Sequence, residues 1–396
     1  MEFVISQRMS KMKGSAIREI FKRAADPKVI SLAGGNPAPE LFPNRELADI
    51  ARELLEKDPV LSLQYGVTEG YAPLRQLCRE RLAAKEGIGT ENDDLIITSG
   101  GQQGIELIAK CLLDEGDGVI VEEPSFIGAT NAFRSYNAKL IGVPLEEDGL
   151  NLAALEKAME ENPRAKILYV IPTFQNPAGS TTSLEKRREI YRLAALHGLL
   201  IIEDNPYGDL RFDGQKVPTI KSMDTQGIVA YCGSFSKVIA PGLRVGFTCA
   251  PKELVAKMVV GKQISDVHTA MLPQLLVYEF MKRYDLDAYI EKNRQLYRHK
   301  CHFMLEQMEK YFPSQVRYTV PQGGLFIWCR MPKGYDSAQL AQECLKDNVV
   351  FVPGSTFMVD MQAPCECFRL NYSTMPDQRI EAGIRAIGQA LHRMLD

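Results

Sequence analysis

Tyr231-Cys232-Gly233-Ser234-Phe235-Ser236-Lys237-Val238-Ile239-Ala240-Pro241-Gly242-Leu243-Arg244-Val245-Gly246-Phe247 is the stretch whose reading decides the fold. Hydroxyls precede the lysine by three residues and by one, and an arginine follows it by seven. A lysine that forms a Schiff base must stand near an electrophilic aldehyde with its amine partly unprotonated. A phosphate carried on that aldehyde needs hydroxyl donors and a cation. Ser234 and Ser236 supply the first, and Arg244 can fork onto phosphate oxygens. The segment therefore suits pyridoxal phosphate (PLP).

Working outward, short apolar runs alternate with helical patterns. Asp94–Thr98, Gly118–Glu122, Ala165–Ile171, Leu199–Glu203, Ile228–Tyr231 and Val245–Ala250 read as strands, and Gln102–Leu113 reads as a helix. Strands separated by helices predict an α/β domain with a mostly parallel sheet between helices. Polar residues follow the strands' carboxyl ends, where open α/β sheets bind ligands. A long helix is expected over Gln274–Leu305. Beyond it, Val316–Thr319 and Leu325–Cys329 read as paired strands, Phe368–Asn371 as another, and Pro376 onward as a helix. This predicts three parts: 1–45, an N-terminal arm and part of the small domain; 46–290, a large PLP-binding domain; and 291–396, a smaller α+β domain.

The bulk properties agree with a globular enzyme. The 396 residues predict about two domains. A net charge of −3 gives no basic footprint for nucleic acid. No apolar run approaches a membrane span, and Met1–Gly14 lacks a signal core, so a cytoplasmic protein is expected. The nine cysteines are odd in number and scattered, which fits reduced thiols and neither a disulfide framework nor a metal site.

A PLP site needs more than its lysine. Ser99-Gly100-Gly101-Gln102-Gln103-Gly104 is a glycine-rich turn leading into a helix, where backbone N–H groups can hold phosphate. The pyridine nitrogen needs a carboxylate, and Asp204 ends the run Leu199–Asp204. Tyr207 and Asn176 can donate to the phenolic oxygen. Asn176 lies in Pro172-Thr173-Phe174-Gln175-Asn176-Pro177-Ala178-Gly179, a loop stiffened by two prolines. Phe126 offers a flat partner for the ring, and Arg369 offers a fork for an amino acid's carboxylate.

With those residues in that order, the chain resembles the class I/II aminotransferases of PLP fold type I. It is nearest to the branch of 2-aminoadipate and kynurenine/α-aminoadipate aminotransferases, which also includes the aminotransferase-like half of MocR-type transcription regulators. The markers are Ser31-Leu32-Ala33-Gly34-Gly35, Leu63-Gln64-Tyr65-Gly66, Thr98–Gly104, Asn176-Pro177-Ala178-Gly179, Glu203-Asp204-Asn205-Pro206-Tyr207, Ser234–Lys237 and Pro321-Gln322-Gly323-Gly324-Leu325-Phe326. They span nearly the whole chain from Ser15. The resemblance implies a seven-stranded sheet and a homodimer with shared active sites, in which Tyr65 reaches the partner's cofactor phosphate. It implies that Lys237, Asp204 and Tyr207 are catalytic. Gly101 stands where the family often has serine, so Gln102, Ser234, Ser236 and Arg244 would carry the phosphate with backbone N–H groups. Phe126 stands where tyrosine is usual. Gly35 and Asn176 would line the substrate site with Arg369, and Arg18 would meet a substrate's distal acid group. The implied reaction moves an amino group between an L-amino acid (aromatic, branched or 2-aminoadipate-like) and 2-oxoglutarate by a ping-pong mechanism.

Other readings account for fewer residues. Asp94–Glu123 mimics a dinucleotide fingerprint with Glu122 as its acidic residue, but Ser99 replaces the first glycine and the lysine segment is left unexplained. A MocR-type regulator needs a DNA-binding module ahead of the markers. A β-lyase, a decarboxylase or a non-catalytic PLP sensor would share the fold.

Overall fold

The computed structural model describes residues 3–10, 12 and 26–395. The central sheet is built from β1 (Asp93–Thr98), β2 (Gly118–Glu123), β3 (Lys139–Glu146), β4 (Ala165–Val170), β5 (Leu200–Asp204), β6 (Val229–Ser234) and β7 (Gly246–Pro251). Their spatial order is β1-β7-β6-β5-β4-β2-β3, and the two-residue strand Gly149–Leu150 extends the β3 edge. Only β7 among the seven long strands runs against the rest, pairing antiparallel with β1 and β6. The expected mostly parallel sheet is present, with the two-residue strand Gly149–Leu150 as an eighth where seven were expected. β3 escapes a reading for apolar runs because it is half exposed and polar at both ends.

Both faces of the sheet are apolar, which is why its strands read as continuous hydrophobic runs. Along β2, Val119 and Val121 pack beneath helices Gly101–Leu112, Ile127–Arg134 and Lys252–Ser265. Ile120 faces the opposite way, toward helices Leu152–Glu161 and Leu184–His197. With helices on both faces, the loops at the strand ends are left to form a site.

The expected helix Gln274–Leu305 is two helices, Met271–Arg283 and Leu286–Tyr311. Asp285 makes the break. Its carboxylate accepts from the backbone N–H of Asp287 and Ala288, each at 3.0 Å, and caps the second helix. The C-terminal sheet contains β8 (Arg317–Tyr318), β9 (Phe326–Arg330), β10 (Val352–Pro353) and β11 (Cys367–Asn371), all antiparallel in the order β8-β9-β11-β10. The N-terminal Ile30–Ser31 pairs in parallel with Val349–Val350. Leu32 then accepts from the Asn371 N–H at 2.8 Å, which ties the Gly35 loop to the end of β11.

Candidate active site

The carboxyl ends of β1, β2, β4, β5 and β6 and the start of β7 converge at one edge of the sheet. Lys237 follows β6 and is partly buried. Its Nζ donates to the Gly35 carbonyl at 2.8 Å. Burial is the main force lowering its pKa to about 8; the Arg369 and Arg244 guanidiniums add to that, and Asp204 opposes them. A share of the amine is thereby left unprotonated near neutral pH, as attack on an aldehyde requires.

Asp204 ends β5 and is 5% exposed. Burial raises its carboxyl to about 6, against the pull of the Tyr169 hydroxyl and of Lys237. Tyr169 Oη donates to Oδ2 at 2.8 Å. Tyr207 follows three residues later, also buried. Its hydroxyl lies 3.5 Å from Asn176 Nδ2, and burial pushes it above the usual phenol range.

Asn176 is held from two sides. Arg187, fully buried, donates to the carbonyls of Pro172 at 2.6 Å and Thr182 at 3.0 Å, which fixes the two ends of its loop. Gln175 donates to the Pro124 carbonyl at 2.8 Å and to Glu122 Oε2 at 3.0 Å, joining this loop to the one carrying Phe126. Glu122 is therefore a buried anchor rather than a ribose ligand, and burial raises its carboxyl to about 7.

Arg369 lies on β11 and is 4% exposed. It donates to Asn176 Oδ1 at 2.7 Å and to the Ala33 carbonyl at 2.6 Å. Its guanidinium carbon sits 4.2 Å from the Phe326 ring centroid and 4.9 Å from that of Phe357. Its Nε has no hydrogen-bond partner, and no carboxylate pairs with it among the described residues. A buried cation so placed is costly to leave without an anion.

Arg244 precedes β7 with a left-handed backbone, φ 54°. For a non-glycine residue that conformation is uncommon and strained. Among the described residues its guanidinium hydrogen-bonds only to carbonyl oxygens, those of Ser99 at 3.2 Å and Pro241 at 3.3 Å. It therefore lies against the start of helix Gly101–Leu112, whose free N–H groups favour an anion. A Cβ on Gly101 would meet nothing closer than 3.9 Å, at Gly233 O and Ser234 Cβ, so this position could hold a serine without crowding. Ser234 Oγ accepts the Ser236 N–H at 3.1 Å, and Gln102 Nε2 donates to the Gly128 carbonyl at 2.8 Å. Gly128 lies under both Gln102 and the half-buried Phe126 ring.

These residues fit PLP. Two guanidiniums without an anion among the described residues, one at a helix start and one in the interior, suit a phosphate and a substrate carboxylate. The buried Asp204 suits a protonated ring nitrogen, and the depressed Lys237 amine suits an aldehyde.

Of the other expected site residues, Tyr65 stands apart from this cluster and Arg18 lies outside the described residues. Tyr65 is 81% exposed and packs edge-on to His268 with centroids 5.8 Å apart. The structure also brings in side chains that the sequence did not single out: Tyr169, Gln175, Phe326 and Phe357. An aromatic in an apolar strand gives no sign of what its hydroxyl or face will meet, so Tyr169 reads as core. Phe326 lay within a quoted marker, but without a role.

Comparison with known proteins agrees with this geometry. The model of the family "Aminotransferase class I and II" matches residues 27–387. The chain is 40% identical to the 2-aminoadipate transaminase of Thermus thermophilus, over 97% of this chain and 96% of that one. It is 36% identical to aromatic-amino-acid aminotransferase 1 of Thermococcus litoralis, over 98% and 94%. The solved structure of Pyrococcus horikoshii kynurenine aminotransferase, in complex with PMP, superposes with a TM-score of 0.95 at 35% identity, covering 99% of this chain and 98% of the other. The chain belongs to the class I and II aminotransferases, which are PLP-dependent enzymes of fold type I acting on amino and oxo acids.

Proposed function

We propose that this aminotransferase moves an amino group between an L-amino acid, aromatic, branched or 2-aminoadipate-like, and 2-oxoglutarate in two half-reactions at one site. The observation that carries this reading is Arg369, a buried guanidinium with an unpaired Nε and no carboxylate among the described residues. An α-carboxylate is common to both substrates, so one fork serves both halves of the cycle. When bound, PLP supplies the aldehyde that takes up the amino group and a ring that draws electron density from the substrate's Cα.

The rest falls to the chain. Arg369 and Asn176 grip the α-carboxylate, and Gly35 lines the same side. With the carboxylate held, the Cα–H bond is presented to Lys237. Its amine takes the proton from Cα in one half-reaction and returns one to Cα in the other. Asp204 would keep a positive partner at the ring nitrogen. Tyr207 and Asn176 would offer donors to the phenolic oxygen, and Phe126 a flat partner for the ring. Gly101, Gln102, Ser234, Ser236 and Arg244 would hold the phosphate.

The assembly is a homodimer. Tyr65 is too exposed to serve its own site, and the role we assign it is to reach the partner's phosphate. Arg18 meets the distal carboxylate of glutamate or 2-aminoadipate and withdraws for apolar side chains. The division at 1–45, 46–290 and 291–396 separates the arm, the cofactor-binding part and the C-terminal part. We place the protein in the cytoplasm because all nine cysteines are unpaired thiols, eight of them buried. Among the described residues no helix is long and apolar enough to cross a membrane.

The test is Lys237→Ala in purified protein. The expected outcome is loss of the visible absorption band of the cofactor and of amino transfer from any amino acid to 2-oxoglutarate. Transfer at the wild-type rate would defeat the proposal. A panel of amino donors against 2-oxoglutarate then ranks the substrates.

A further inference from the structure

We propose that Tyr169 is a positioning residue for the reaction: its hydroxyl fixes the carboxylate of Asp204 so that one oxygen stays aimed at the cofactor's ring nitrogen. The inference rests on the reading of Asp204 given above.

Tyr169 lies on β4, in register with Ile202 of the neighbouring β5, two residues before Asp204. Side chains two apart on a strand share a face, so Tyr169 and Asp204 lie on the same side of the sheet. The Tyr169 side chain is fully buried, with its ring edge-on to Phe133 at 5.7 Å between centroids. Packing leaves the ring no freedom, and its hydroxyl reaches one partner, Asp204 Oδ2, at 2.8 Å. Among the described residues no other group donates to that carboxylate. With Oδ2 tied, the carboxylate plane cannot turn, and Oδ1 remains available for a ring N–H.

The other groups facing Asp204 cannot do this. Lys237 attracts the carboxylate but donates to Gly35. Glu122 adds a second carboxyl nearby, with its own donors in Gln175 and Ile171. Cys232 lies opposite Asp204 in the register of β6 and is shared with Thr248. Tyr207 meets Asn176. Among the described residues Tyr169 alone supplies a hydrogen bond to the carboxylate, so it both orients Asp204 and stabilises its charge against burial.

The experiment is Tyr169→Phe, which deletes one oxygen and keeps the ring against Phe133. A hydrogen bond to a buried charge carries a factor of about ten to a hundred. The PLP dissociation constant, measured by release from the holoenzyme on dialysis, should rise about tenfold or more. The pH midpoint of the visible band should move upward, because a ring nitrogen less firmly protonated makes the Lys237 nitrogen joined to the cofactor's aldehyde carbon easier to protonate. Affinity within twofold of wild type with an unmoved midpoint would overturn the proposal.

The same substitution in an Asp204→Asn background isolates the pair. There it should change cofactor affinity less than twofold; equal losses in both backgrounds would assign Tyr169 to packing and also overturn the proposal. If Asp204→Asn alone leaves affinity intact, the reading of Asp204 itself fails. If Asp204→Asn weakens binding and Tyr169→Phe does not, only the role of Tyr169 fails.

Discussion

Asp204 gives a prediction whose sign depends on whether the cofactor is present. Burial lifts its carboxyl from 3.8 to about 6. That is about two pKa units, or roughly 3 kcal/mol at about 1.4 kcal/mol per unit. The group's folded pKa lies above its unfolded value. Its contribution to stability is therefore fully present below about pH 4 and is lost as pH rises through about 6. Asp204→Asn cannot titrate. The difference in unfolding free energy between cofactor-free wild type and Asp204→Asn should thus fall by roughly 3 kcal/mol between pH 4 and pH 7.5. Glu122, raised to about 7 by burial, titrates in the same window but is present in both proteins and largely cancels. With a urea slope of about 3 kcal/mol/M, the wild-type midpoint should drop about 1 M relative to the variant. Saturating PLP should abolish the drop, because a positive ring nitrogen compensates the buried charge. A difference that does not vary with pH in the cofactor-free proteins would refute the reasoning. So would the same loss with PLP bound, which would mean that no cation sits at Asp204.

Two more expectations follow from the site. Arg369→Gln should raise KM for both the amino acid and 2-oxoglutarate about ten- to a hundredfold, the cost of losing a charged contact, and steady-state kinetics with each substrate varied in turn would check it; a rise for only one of the two would remove Arg369 from one half-reaction. Inactive Lys237→Ala subunits mixed with Tyr65→Ala subunits should yield hybrids with one intact site. At a 1:1 ratio with free exchange, half the dimers are hybrids, so activity should exceed that of either parent and approach about a quarter of wild type, whereas activity equal to the parents' mean would place Tyr65 in its own subunit's site.

Lys237, Asp204 and Asn176 were legible in the sequence because each follows an apolar strand at the edge where ligands bind, and the strand pattern is strong. Arg369 was legible only as a chemical need, since its own strand, Cys367–Asn371, is short. The order of the strands, and so the meeting of Arg369 with Asn176 193 residues earlier, depends on tertiary packing. Tyr169 was hidden for a different reason. Its ring belongs to the same apolar face as Ile167 and Ile202, and hydrophobic pattern carries no information about a hydroxyl. The break at Tyr284–Asp285 was hidden because aspartate is a weak stop inside an otherwise helical stretch, decisive only once its side chain caps the next helix.

The direction of β7 determines whether the anion site exists at all. Ser234 at the end of β6 pairs with Gly246 at the start of β7, and Gly246 pairs in turn with Thr98 at the end of β1. The turn between β6 and β7 therefore holds Ser234, Lys237 and Arg244 at the same edge as the Gly100–Gly101 helix start. Had β7 run parallel to its neighbours, Arg244 would begin at the opposite edge, about 20 Å away for a six-residue strand at about 3.3 Å per residue. The close approach also constrains side chains. A Cβ on Gly246 would lie 2.7 Å from both the Gly100 carbonyl carbon and the Gly101 nitrogen, so any other residue would push the glycine turn away from β7. The eleven residues from Ser234 to Arg244 thus do two things at once. They carry the lysine, and they reverse the chain so that its arginine returns to the phosphate end of the same site.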